Sequence, residues 1–207
     1  MSETPTVFIV DDDGGIRKSL GWLVESIGLI VEGHDCAKSF LDAYTSDRAG
    51  CVVLDLVMPG MSGLELQAHL KSRGVKIPVI IVTAHGDVPS AVRAYEQGCA
   101  SFIEKPFSDQ SILETIQGAL KRDRLQRDKA RLQQERINRL NSLSTKERAV
   151  YDRIVMGKSN KLVAADLDLS PKTIEVHRAN VMAKIGVKTL AELVRFSAEI
   201  ENDSDLY

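Results

Sequence analysis

At 207 residues the chain suits one large domain or two small ones, and its 43% apolar fraction argues against disorder. A net charge of −2 hides an uneven spread. Residues 1–120 hold 9 Lys+Arg against 16 Asp+Glu, net −7, and residues 121–207 hold 18 against 13, net +5, so a half suited to a metal or phosphate site precedes one suited to an anionic polymer. The separated Cys36, Cys51 and Cys99 argue against a disulfide framework or a zinc site. With no apolar run of membrane-spanning length and no basic-then-apolar leader, a soluble, cytoplasmic protein without membrane contact is expected.

Val7-Phe8-Ile9-Val10 reads as an apolar strand ending in Asp11-Asp12-Asp13. A helix follows, with Ile16, Leu20, Leu23, Val24 and Ile27 at spacings of three and four. Leu29-Ile30-Val31 is a second short strand, running out at Gly33-His34, and Ala37 to Tyr44 is helical. Cys51-Val52-Val53-Leu54 reads as a strand buried on both faces, ending in Asp55 before Pro59 and Gly60 turn the chain. Leu64, Leu66 and Leu70 mark another helix, and Pro78 to Val82 is a fourth strand ending in Thr83. Val88 to Gln97 is helical, with Gly98 past its end. Ser101-Phe102-Ile103 is a fifth strand, followed by Glu104-Lys105-Pro106 and a helix from about Asp109.

Strict strand–helix alternation predicts a parallel sheet covered on both faces. The order 2-1-3-4-5 brings Asp11, Asp12, Asp55, Thr83 and Lys105 together at the carboxyl ends of four strands. Three carboxylates in one pocket repel and require a cation, and oxygen-only ligation with room for water suits Mg²⁺. Lys105 can pair with Asp55 before a phosphoryl group arrives and with that group afterwards. The group's charge of about −1.5 to −2 draws Lys105 and the Thr83 hydroxyl inward.

Val10-Asp11-Asp12-Asp13, Leu54-Asp55 with Met58-Pro59-Gly60, Thr83-Ala84 and Lys105-Pro106-Phe107 resemble the signature of bacterial response-regulator receiver domains over roughly residues 5–122. The resemblance implies a flavodoxin-like α/β fold and phosphorylation of Asp55 by a sensor histidine kinase. It implies Mg²⁺ held by Asp11, Asp12, Asp55 and the backbone carbonyl of Val57, with Thr83 and Phe102 as a switch pair and a cis Lys105–Pro106 bond. Ser62-Gly63 departs from the common Asp-Gly and is expected to lie outside the pocket. His85, at the rim, reads as a loop residue rather than one that tunes hydrolysis of the phosphoryl group.

From Lys121 to Arg139 the apolar pattern thins, without Gly or Pro, which favours a solvated linker helix over a coiled coil. Ser144-Thr145-Lys146-Glu147 is a capping box for a helix through about Met156, ended by Gly157. Asn160 can cap a second helix, and Ser170 a third that opens with Pro171. Thr189 and Glu192 repeat the capping-box spacing on a fourth. This pattern fits a helix-turn-helix module. On the third helix Ile174, His177, Val181 and Ile185 face the core, leaving Lys172, Glu175, Val176 and Ala179 opposite, flanked by Arg178, Lys184 and Lys188.

Leu143-Ser144 with Glu147, Gly157, Asn160-Lys161 and the run from Leu169 to Met182 resemble a LuxR-type DNA-binding domain over about residues 142–198. Joined to the receiver this resembles the NarL/FixJ family, its FixJ branch in particular. The resemblance implies phosphate contacts from Lys172, Thr173 and Lys184, and base edges faced by Glu175, Val176 and Ala179. Glu175 divides between cytosine readout and an unfavourable charge near DNA. Leu162 and Val163 replace a common Glu-Ile pair, expected to affect packing.

The expected organisation is a receiver over 1–122, a helical linker over 123–141 and an all-α LuxR-type helix-turn-helix domain with a short acidic tail over 142–207. Its expected partners are a sensor histidine kinase, a two-fold double-stranded DNA site, a second copy on phosphorylation and RNA polymerase. The expected outcome is control of transcription, by activation. The chain is read as a non-enzyme apart from taking up and hydrolysing its own phosphoryl group. A rival reading, a haloacid-dehalogenase-type phosphatase with Asp11 as nucleophile and Asp13 as acid/base, needs a late acidic pair that Phe107-Ser108-Asp109 lacks, and leaves Asp55 unexplained.

Overall fold

The computed structural model describes residues 4–84 and 86–204, with side chains described to residue 200. His85 and the end of the acidic tail therefore lie outside the described residues. The chain divides into two compact units, Met1–Arg127 and Asp128–Tyr207. Among the described residues no helix is long and apolar enough to cross a membrane.

In the first unit β1 (Thr6–Val10), α1 (Gly14–Glu25), β2 (Ile30–His34), α2 (Ala37–Ala43), β3 (Gly50–Leu54), α3 (Gly63–Ser72), β4 (Val79–Thr83), α4 (Val88–Glu96) and β5 (Ser101–Glu104) alternate along the chain, followed by α5 (Asp109–Asn141). All four ladders are parallel, as the alternation predicts, and the order is the expected β2-β1-β3-β4-β5. Successive side chains of a strand point to opposite faces. Phe8, Val10, Val52, Leu54 and Ile81 thus pack with Phe40 of α2, Leu66 and Leu70 of α3 and Ala94 of α4. Val7, Ile9, Val53, Ile80 and Val82 pack on the other face with Leu20 and Val24 of α1 and with Ile112 and Ile116 of α5. Burial on both faces is why these strands read as unbroken apolar runs.

The segment expected to be a solvated linker is rooted in this unit. Asp123 is only 4% exposed, because its Oδ2 accepts the Gly50 amide at 3.0 Å and its carboxylate takes Arg127 Nε at 2.9 Å. Arg127 Nη1 donates in turn to the Asp47 carbonyl at 2.9 Å. Gly50 has φ +155°, and a Cβ there would stand 1.9 Å from the Thr6 carbonyl oxygen, so no other residue fits.

The second unit packs α6 (Thr145–Val155), α7 (Asn160–Leu167), α8 (Pro171–Ile185) and α9 (Leu190–Ser204) around Val150, Tyr151, Ile154, Val163, Ile174, Val181, Ile185, Leu193 and Phe196. Ser144 and Glu147 form the expected capping box, and Ser170 caps α8 ahead of Pro171. Two local expectations are corrected. Ser159, not Asn160, caps α7, since the Asn160 amide oxygen is taken by Arg178 Nη1 at 3.0 Å. Of the Leu162-Val163 pair only Val163 packs, Leu162 being 56% exposed.

Replacing Asp123 by Ala leaves the buried Gly50 amide without its acceptor. A loss of about 1–3 kcal/mol is expected from urea unfolding of the first unit, and Gly50→Ala is expected to cost more because its clash is with backbone.

Candidate functional site

The site is built where four strands of a parallel sheet end. The Asp55 amide donates to the Val10 carbonyl at 2.8 Å, that of Asp11 to His34 at 3.2 Å, and that of Lys105 to Thr83 at 2.8 Å. The strand ends are therefore hydrogen-bonded in register, and their next side chains converge. Asp11, Asp55 and Thr83 are buried there. Lys105 Nζ lies 2.8 Å from Asp11 Oδ2 and 2.8 Å from Asp55 Oδ1. Burial works against its charge, but the hydrogen bonds to Asp11 and Asp55 outweigh it and raise the ammonium above its ordinary pKa. The other oxygens are held by backbone: Asp55 Oδ2 accepts from Val57 N at 2.7 Å and Asp11 Oδ1 from Asp13 N at 2.9 Å. The Lys105–Pro106 bond is cis.

The three consecutive aspartates divide their work. Asp11 enters the cup, Asp12 is exposed at its rim, and Asp13 caps α1 by accepting from Gly15 N at 2.7 Å. That cap occupies the group a phosphatase would need as its acid/base. Phe102, half-buried, stands beside Ile81 in the β4–β5 ladder and packs against the core shared with α4.

Two residues of the site escaped the sequence reading. Arg17 on α1 donates from Nη1 to the Asp11 carbonyl at 2.5 Å. The only signal for it was a basic residue shortly after the acidic run. The Ser62-Gly63 turn, expected to lie outside the pocket, packs against the backbone that carries Asp55. Gly63 N donates to Leu56 O at 2.9 Å, and a Cβ at Gly63 would stand 2.3 Å from the Asp55 carbonyl oxygen.

Among the described residues no group of three or more His, Cys, Asp or Glu closes into a metal cage. Two carboxylates nevertheless converge on one cation, the Lys105 ammonium, with a third exposed beside them. An oxygen set of this kind, open to water, fits Mg²⁺, which keeps several waters and uses one or two carboxylates.

In the second unit Lys172, Glu175, Val176 and Ala179 lie exposed on one face of α8, Val176 to 56%. Thr173 hydrogen-bonds Ser170 at the start of the helix, and Lys188 is exposed beyond its end. Arg178 reaches Asn160 on α7. Lys184 Nζ lies 2.6 Å from Glu147 Oε2, so its ammonium is already engaged within the domain. His177 is half-buried rather than fully in the core.

Comparison with known proteins assigns both halves to families. The model of the response regulator receiver domain matches residues 7–117, and that of the luxR family of bacterial regulatory proteins matches residues 141–197. The chain is 45% identical to the transcriptional regulatory protein FixJ of Azorhizobium caulinodans over 197 residues, 95% of this chain and 93% of that protein. The structure of the response regulator StyR aligns with a TM-score of 0.90 at 40% identity, covering 95% of this chain and 99% of that one. Full-length FixJ from B. japonicum aligns with a TM-score of 0.59 at 41% identity, covering 95% and 97%.

The Lys184 hydrogen bond, then the Ser144 amide, holds the Glu147 carboxyl at about 2 against an ordinary 4.5. A depressed carboxyl adds stability above its unfolded value and loses it as pH falls toward the folded one. Amide protection of α6 is therefore expected to fall as pH drops from about 4.5 toward about 2. Lys184→Met is expected to weaken that pH dependence.

Proposed function

The chain belongs to the two-component response regulators of the NarL/FixJ family, transcriptional regulators that join a receiver to a LuxR-type DNA-binding domain, and on that premise we propose that Asp55 is the phosphoacceptor. The observation that carries this is one ammonium, Lys105 Nζ, held 2.8 Å from each of two buried carboxylates. A sensor histidine kinase presents a phosphohistidine. Its phosphorus–nitrogen bond breaks as an Asp55 oxygen bonds to phosphorus, and the imidazole leaves. The carboxylates of Asp11, Asp12 and Asp55 and the Val57 carbonyl would hold Mg²⁺, which when bound neutralises charge on the transferring oxygens. Lys105 turns from Asp55 to a phosphoryl oxygen while keeping Asp11. Thr83 donates its hydroxyl to another oxygen and moves toward it, and Phe102 turns into the space behind. The chain is no conventional enzyme; the one turnover assigned to it is hydrolysis of its own aspartyl phosphate.

The readout lies on α4 and β5. Val88, Val92 and Tyr95 stand on α4 at spacings of four and three and are 76%, 48% and 54% exposed, an apolar stripe next to the element that Phe102 anchors. Phosphorylation remodels this face so that two copies pair and present their DNA-binding domains to a two-fold duplex site. Moving such an equilibrium from mostly off to mostly on takes about 5 kcal/mol, which dimer contacts supply and one threonine hydrogen bond does not. The receiver is assigned residues 1–122, the connecting helix 123–141 and the DNA-binding domain 142–207. Lys172, Thr173 and Lys188 serve phosphates directly, Arg178 and Lys184 add the part of their charge that their bonds to Asn160 and Glu147 leave facing solvent, and Glu175, Val176 and Ala179 serve base edges. The bound dimer activates transcription through RNA polymerase in the cytoplasm.

The kinase approaches along a groove of about 430 Å³ between α1 and the start of α5, lined by Ile16, Ser19, Leu20, Leu23 and Phe107 and reaching Lys105. This apolar channel beside the acceptor fits a helix of the donor.

Asp55→Asn is expected to abolish labelling by acetyl phosphate and the gain in duplex affinity. Phosphorylated protein that stays monomeric in sedimentation and binds DNA no better would rule out the dimer switch. Ser19→Tyr fills the groove away from the carboxylates. It is expected to slow transfer from the kinase about tenfold while acetyl phosphate still labels the protein at nearly the normal rate.

A further inference from the structure

The last turns of α5 belong to the second compact unit, which begins at Asp128, yet they precede residues 141–197 that match the LuxR-type model. Arg136, Arg139 and Leu140, three and four apart, share one face of the helix. Each is engaged by the DNA-binding unit. Arg136 Nη2 lies 2.7 Å from Glu199 Oε2 on α9, Leu140 packs against the core, and Arg139 Nη1 donates to the Ile185 carbonyl at 3.3 Å. Ile185 is the last residue of α8, and Gly186 leaves it in the left-handed region with φ +80°. A guanidinium here meets unpaired carbonyls at the negative end of the helix dipole. From the α8 side, Lys184 Nζ donates to the Ser142 carbonyl at 3.3 Å. Two cations therefore tie the end of α8 to the end of α5.

We propose that Arg139 is a positioning residue for α8: it fixes the C-terminal end of that helix, and with it the angle at which Lys172, Glu175, Val176 and Ala179 meet the duplex, without touching DNA itself. At 1.5 Å per residue, Lys172 lies about 20 Å from Ile185 along α8. A tilt of about 6° about the tied end carries it through about 2 Å, more than a hydrogen-bonded base contact tolerates. The proposal rests on reading α8 as the DNA-reading helix.

The test uses full-length protein treated with acetyl phosphate, a duplex selected from a randomised pool by the unaltered protein, and an unrelated duplex of equal length. Arg139→Ala is expected to weaken the selected duplex about tenfold, to leave the unrelated duplex within about twofold, and to leave the salt slope unchanged; Arg139→Lys restores most of the loss. Arg139→Gln keeps an amide donor toward Ile185 and is expected to retain most of the ratio between duplexes, which keeps the test open if the alanine variant fails to fold. A parallel loss on both duplexes, with the salt slope reduced by about one, makes Arg139 a phosphate contact and overturns the proposal. Unchanged binding by Arg139→Ala also overturns it. Val176→Ala serves as the control: if it leaves the selected duplex unaffected, the reading of α8 fails, and the role given to Arg139 falls with it.

Discussion

Two carboxylates buried at the ends of adjacent strands repel each other, and the receiver half is arranged around the cation that stands between them. Asp11 and Asp55 share Lys105 at 2.8 Å each. The strands that deliver them are zipped in register at their ends, so the separation of the two carboxylates is set by sheet geometry rather than by flexible side chains. The backbone around Asp55 is equally constrained, with Val57 N on its free oxygen and Gly63 pressed against its carbonyl.

The Lys105 ammonium between the two carboxylates is held by hydrogen bonds that an incoming anion would redirect. On the proposed reading a phosphoryl group would bring a charge of about −1.5 to −2, and Lys105, already bonded to Asp55, could turn toward it. The same strand ends carry Thr83 and, two residues from Glu104, Phe102, on the β4–β5 side of the cup. That side borders α4, whose apolar stripe is unusually exposed. The root of α5 is fastened on another side of the sheet through Asp123, Arg127 and Gly50.

In the DNA-binding half, positive charge does two kinds of work. Lys172 and Lys188 are exposed, while Lys184, Arg178 and Arg139 are spent on Glu147, Asn160 and the Ile185 carbonyl. A count of basic residues therefore overstates the surface available to phosphates. Part of that charge is held at the carboxyl end of α8, and direct readout by a helix depends on its angle as much as on its side chains.

The elements, their parallel order and the residues at the strand ends were all readable along the chain, because periodicity, caps and breakers are local and the side-chain period of a strand leaves little choice of face. Asp11, Asp55, Thr83 and Lys105 were legible because each follows an apolar run, and Lys172 to Ala179 because helical spacing sorts them from Ile174 and Val181. Which groups those residues touch emerged from the packing of the folded chain. Arg17 beside the Asp11 carbonyl, Gly63 against Asp55, Asp123 under Gly50 and Arg139 on Ile185 join segments up to 73 residues apart. No local pattern encodes such a pairing. It exists because a backbone carbonyl or amide left over at the end of an element must find a partner, and the packing of distant elements settles which side chain comes within reach.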